Sequence, residues 1–173
     1  MEPAQTALIV AVPQAEPAVA RWRARLDPSA AWGVPAHVTL LYPFLPPGQI
    51  DRAVLTALEA TVRTVPRFAV TFRRVEWFGE SVLWLAPEPD HPLRALTVAV
   101  WHRFPQTPPY GGLHPDAVPH LTVAERGPLD VMRAAAVAVR SELPIEAAVS
   151  TVQLLAGSAH PHSWRVLAEL RLG

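Results

Sequence analysis

The chain has 173 residues, half of them hydrophobic, and its fifteen basic and fifteen acidic side chains cancel to a formal charge of zero. That length fits one domain or two small, intimately packed lobes with a substantial core, and the neutral balance leaves no electrostatic footprint for long duplex nucleic acid. Cysteine and lysine are both absent, which excludes disulfides, thiol nucleophiles, Cys-ligated metal sites, a P-loop lysine, a Schiff base and a lysine adenylated during ATP-dependent ligation.

Residues 7–12 are an apolar, branched run ending at Pro13, which predicts a buried strand. Residues 16–26 carry Val19, Trp22 and Leu26 at helical spacing. A strand over 36–42 follows, closed by Pro43 and the Pro46-Pro47-Gly48 loop, and Asp51 is placed to cap a helix with Val54, Leu55, Leu58 and Val62 on one stripe. Residues 68–72 and 75–78 read as one long or kinked strand, with 81–86 as its hairpin partner across a turn near Gly79-Glu80. A helix over 93–104 is led by Asp90 and Pro92. The stretch 105–118 is too rich in proline and glycine for regular structure, and a loop of that length is more often functional than idle. A strand around 118–123, an alanine-rich helix over 129–143 and two strands over 147–156 and 164–172 complete the order. The pattern predicts an α+β fold in a single bilobal domain, residues 1–173: two mainly antiparallel sheets with outer helices, weakly duplicated, around a central cleft.

Two strands in this order read alike. Pro35-Ala36-His37-Val38-Thr39-Leu40 and Val118-Pro119-His120-Leu121-Thr122-Val123 each carry His-x-Thr between apolar residues. Alternate side chains of a strand share a face, so each motif aims an imidazole and a hydroxyl one way while Val38, Leu40, Leu121 and Val123 point into a core. One such motif is ordinary in a strand; two in matched frames, nearly half the chain apart, point to a shared site. A pair of imidazoles supplies what acid–base chemistry needs near neutral pH, one neutral and one protonated. Thr39 and Thr122 add hydroxyl donors for the non-bridging oxygens of a phosphate.

On these residues the chain resembles the 2H phosphoesterases, which include the bacterial 2′-5′ RNA ligase-like proteins and cyclic nucleotide phosphodiesterases. The resemblance rests on His37-Val38-Thr39-Leu40, His120-Leu121-Thr122-Val123, their separation and an element order covering nearly the whole chain. It implies a bilobal antiparallel fold with both motifs lining a central cleft, catalysis without a metal or other cofactor, and phosphodiesters attached to ribose as substrates. The expected partner is a nucleotide or RNA end carrying a 2′,3′-cyclic phosphate or a 2′-5′ linkage, handled by a monomer. Whether His37 or His120 acts as acid depends on substrate orientation, which the residues leave open.

Other positions carry two readings each. Arg126, six residues after His120, falls on the face of His120 and Thr122 if the strand runs unbroken, where it would contact phosphate; otherwise it is a solvated arginine before Gly127. Tyr42 and Trp84 suit stacking on a base or simple core packing. His160-Pro161-His162 suggests a metal-dependent hydrolase, but no third ligand stands at a diagnostic spacing, and a surface loop explains it more simply. A nucleotide-binding module without turnover is the alternative to an enzyme. No run of eighteen apolar residues and no basic leader are present, so no membrane partner and a cytoplasmic location are expected.

Overall fold

The computed structural model describes residues 3–114 and 116–173. Eight strands form one sheet: β1 (Gln5–Ala11), β2 (His37–Leu41), β3 (Phe68–Phe78), β4 (Val82–Glu88), β5 (Leu121–Glu125), β6 (Ile145–Val149), β7 (Thr151–Gly157) and β8 (Arg165–Arg171). Between them run five α-helices: α1 (Glu16–Leu26), α2 (Pro28–Ala31), α3 (Arg52–Val62), α4 (His91–Arg103) and α5 (Leu129–Arg140). The sheet order is β6-β3-β4-β5-β2-β1-β7-β8, and every pairing is antiparallel.

The expected α+β class holds, but one sheet replaces the two that were expected. The halves β5-β4-β3-β6 and β2-β1-β7-β8 join where β2 meets β5, and that junction is a single residue pair, Val38 with Leu121. A contact between residues so far apart in sequence leaves no local trace, so it escapes pattern reading.

A second correction concerns residues 147–156, expected as one strand. The chain breaks at Ser150 into β6, which pairs with β3 at one edge, and β7, which pairs with β1 and β8 at the other. Six inter-strand steps of about 4.8 Å would separate β6 from β7 by roughly 29 Å in a flat sheet. One connecting residue cannot span that distance. The sheet therefore curls into a half-barrel that brings its ends together, and the amides of Leu172 and Gly173 close the seam by donating to the carbonyls of Ser150 and Val65.

Helices cover one face of the sheet. Leu8, Val10, Val38, Leu40, Leu121 and Val123 bury there against Val19 of α1, Leu58 of α3, Leu96 of α4 and Met132 of α5. The Asp51 carboxylate accepts from the Val54 amide at 2.8 Å and starts α3 as its sequence predicts. Asp90 precedes α4 but turns its carboxylate to Arg94 instead of capping. None of the helices among the described residues is long and apolar enough to cross a membrane. The opposite face of the sheet carries the cleft.

Candidate active site

Antiparallel pairing at Val38 and Leu121 fixes the geometry of the two motifs. One step to either side, His37 lies across from Thr122 and Thr39 across from His120, so the imidazoles occupy one diagonal and the hydroxyls the other. Cross-strand and along-strand spacings make this patch about 5 by 7 Å between Cα atoms, a footprint suited to one phosphate. All four side chains are half-buried and line a single cavity of about 580 Å³.

Both imidazoles are anchored identically. Nδ1 of His37 lies 2.7 Å from the Pro35 carbonyl, and Nδ1 of His120 lies 2.7 Å from the Val118 carbonyl. A carbonyl oxygen only accepts, so each Nδ1 carries the proton and donates it. Nε2 is thereby left free to exchange a proton with a ligand.

Their surroundings differ. The His120 ring meets Phe78 and Trp84 edge-on, with centroids 5.1 and 5.9 Å away, and those two rings stack on each other at 4.6 Å. Behind His37 lies a buried ion pair: Arg23 Nε donates to Asp27 at 2.9 Å, and the same guanidinium donates to Ser29 Oγ and the Val34 carbonyl. Burial pushes the His37 pKa down to about 4, against the opposing bond to Pro35, and Arg23 lowers it further while Asp27 raises it. Burial also lowers the pKa of His120, opposed by its bond to Val118 and by the Glu125 carboxylate.

Tyr42 is half-buried, lines the cavity and donates its hydroxyl to Gln5 Oε1 at 2.8 Å. Trp84 is buried, with its ring packed against Phe78 and His120. Arg126 does not extend the strand: β5 ends at Glu125, and Arg126 turns with φ 55°. It still borders the cavity, its side chain 84% exposed and 3.6 Å from Glu125. His160 and His162 sit exposed in the loop between β7 and β8. Among the described residues no three His, Cys, Asp or Glu side chains are grouped to hold a metal ion.

Three residues that sequence reasoning missed complete the walls. Tyr110 adopts φ 52°, a left-handed conformation that a bulky residue rarely takes. Its amide donates to the Tyr42 carbonyl at 2.7 Å, placing the ring in the cavity beside Thr39; burial raises its pKa, and Thr39 opposes that rise. Trp32 and Trp164 line the other end. The non-glycine residues with positive φ among those described are Tyr110, Arg126 and His162, and all three lie in loops that bound this cleft. The sequence signals for them are slight: Tyr110 precedes Gly111-Gly112, and Trp32 precedes Gly33.

The model of the 2′-5′ RNA ligase superfamily matches residues 11–161, most of the chain. The chain belongs to that superfamily. Solved structures carry the same fold. E. coli LigT in complex with 3′-AMP is 20% identical, with 99% of each chain covered and a TM-score of 0.60. Its apo form is 21% identical over the same coverage, with a TM-score of 0.62. TT0787 of Thermus thermophilus is 18% identical, with a TM-score of 0.67 over 96% of this chain and 97% of that one. At such identities the likeness establishes a LigT-like fold and nothing finer. No curated protein matches the chain.

Proposed function

We infer that this member of the superfamily is a metal-independent phosphodiesterase that opens 2′,3′-cyclic phosphates, or cleaves and joins 2′-5′ linkages, in RNA ends or small nucleotides. The observation that carries the reading is the four-cornered patch: two imidazoles, each pinned through Nδ1 with Nε2 free, on one diagonal and two threonine hydroxyls on the other. The nucleotides named with LigT, 3′-AMP, ATP and NADP+, are of the class this reading requires.

In this mechanism the phosphate lies on the patch and the threonine hydroxyls donate to its non-bridging oxygens. Burial lowers both imidazoles, His37 to about 4 with Arg23 adding to the fall, while the Glu125 carboxylate opposes it at His120, so on binding an anion His120 is recharged first. Neutral His37 then takes the proton of the attacking water as the new P–O bond forms. Protonated His120 delivers its proton to the ribose oxygen as that P–O bond breaks. Joining is the reverse transesterification, with a 5′-hydroxyl attacking the cyclic phosphate; with no lysine to carry AMP it needs no ATP. Tyr110, beside Thr39 in the cavity wall, is placed to donate to the Thr39 oxygen once phosphate is bound, which leaves the single Thr39 proton for the phosphate. Both motifs come from one chain, so the two halves work as lobes of a single bilobal monomeric unit.

The test is an assay of 2′,3′-cyclic nucleotides and 2′-5′ dinucleotides in EDTA, with the product's phosphate position determined. Turnover in chelator is expected. Binding without turnover of any substrate would make the chain a binding module, and loss in chelator with rescue by zinc would make it a metal-dependent hydrolase.

A further inference from the structure

Each histidine is aimed by the carbonyl two residues before it, and the chain holds those two carbonyls by different means. Between Val118 and His120 stands Pro119, whose ring fixes its own φ, disfavours helical backbone at Val118 and leaves no N–H to satisfy. Between Pro35 and His37 stands Ala36, which is fully buried and carries an N–H that needs an acceptor. Glu16 supplies it: its Oε1 accepts from the Ala36 amide at 2.7 Å, from 20 residues away in sequence.

The rest of this short segment is bonded as completely. The Val34 amide donates to the Ser29 carbonyl at 3.0 Å, and the Val34 carbonyl accepts from Arg23 Nη2 at 3.1 Å. The Ala36 carbonyl accepts from the Val12 amide at 2.8 Å. Proline at 35 has no N–H, so every backbone polar group from Val34 to Ala36 is engaged, with the Pro35 carbonyl given to His37. Glu16 and Arg23 lie seven residues apart on α1, about two helical turns, so one face of the helix presents both. Arg23 is itself buried and fixed by its bonds to Asp27 and Ser29. Before His120, among the described residues, a single side chain from elsewhere bonds the segment 116–119: the exposed Arg94, at a long 3.5 Å from the Ala117 carbonyl.

We propose that Glu16 and Arg23 are positioning residues for His37: by holding Ala36 and Val34 from one face of α1 they fix the Pro35 carbonyl between them, and so keep the His37 proton on Nδ1 and turn Nε2 toward the reacting phosphate. Neither is among the residues that line the cavity, so both act through the backbone before His37. That the aimed nitrogen does chemistry rests on the two-histidine reading; the aiming itself rests on the bonds around Pro35. Glu16 also stands in the first turn of α1, where a carboxylate suits the helix dipole, so a loss of stability alone would not separate the two roles.

The test is nitrogen magnetic resonance of the imidazoles in the free protein, with kcat and KM for a 2′,3′-cyclic nucleotide measured on the same samples. In Glu16→Ala, His37 should pass from the Nδ1–H form to a mixture of both tautomers while His120 keeps its own, and kcat should fall about tenfold or more with KM within about twofold. Glu16→Gln keeps an acceptor oxygen without the charge and should restore both. If Glu16→Ala does not fold, Glu16→Asp, one methylene too short to reach Ala36, makes the same comparison. Arg23→Lys, which cannot reproduce the fork that joins Asp27, Ser29 and Val34, should loosen His37 in the same direction. An unchanged His37 tautomer in folded Glu16→Ala or Glu16→Asp overturns the clamp, as does Glu16→Gln behaving like Glu16→Ala, or both rings changing together. A His37 indifferent to Arg23→Lys overturns the share given to Arg23. A changed tautomer with turnover kept sustains the clamp and overturns the part of His37 in the reaction.

Discussion

The two halves of the sheet bring the same short strand to the centre and surround it differently. At the start of β2 and immediately before β5 alike, an imidazole donates from Nδ1 to the carbonyl two residues back, at 2.7 Å in both cases. Around His120 the support is aromatic, the Phe78 and Trp84 rings, with Glu125 as the nearby charge. Around His37 it is the buried Arg23–Asp27 pair. A repeated motif thus supplies matched groups, which in the proposed reaction share one phosphate, while the unmatched surroundings set the two imidazoles apart in proton affinity.

The largest effect should come from breaking the matched part. His37→Ala and His120→Ala are each expected to lower turnover of a 2′,3′-cyclic nucleotide by about a hundredfold or more, with the far-ultraviolet spectrum unchanged. Turnover close to wild type in either variant would remove that imidazole from the reaction. Thr39→Val and Thr122→Val each delete a donor to a charged oxygen, which corresponds to about tenfold to a hundredfold in turnover.

The unmatched part is sharpened by pH. With His37 lowered to about 4 and His120 also lowered, kcat/KM should peak below pH 6.5, and the limb near pH 4 should vanish from the residual activity of His37→Ala. Stability carries the same signature. Between pH 6.5 and about 4 the unfolded chain binds protons that folded His37 does not, so stability present above pH 6.5 is lost as pH falls through that window. The fall in melting temperature from pH 7 to 5 should be shallower for His37→Gln than for the wild type. Tyr110→Phe removes one hydroxyl from behind Thr39 and should cost about threefold to tenfold in kcat. The same change on a Thr39→Val background should cost almost nothing, because both act through one hydrogen bond; additive losses would assign Tyr110 a separate role. Phe78→Ala, which loosens the bracing of His120 from a partly exposed position, should have the smallest effect, about 1 kcal/mol in stability.

The matched part was the legible part. Val38, Leu40, Leu121 and Val123 alternate with His37, Thr39, His120 and Thr122, and strand alternation turns that pattern directly into a core face and a site face. Local signals also marked α3 by its Asp51 cap and the β3–β4 hairpin by Gly79. The single Val38–Leu121 junction and the break at Ser150 depend on pairings between distant segments, so two sheets and one long strand were the natural expectation. Trp32, Tyr110 and Trp164 reach the cleft from loops or a strand's approach, where side-chain direction follows no period. Trp84 carried a signal with two meanings, and burial beside His120 is a matter of what packs above it, which its neighbours in sequence do not encode.

The most direct test of the shared phosphate is nuclear magnetic resonance of the imidazole nitrogens at pH 7 during addition of 3′-AMP. Both rings should start neutral, with the proton on Nδ1, and the Nε2 resonances of His37 and His120 should move together along one saturation curve, His120 toward its protonated form. A response confined to one ring, or to neither while the nucleotide binds, would contradict the account.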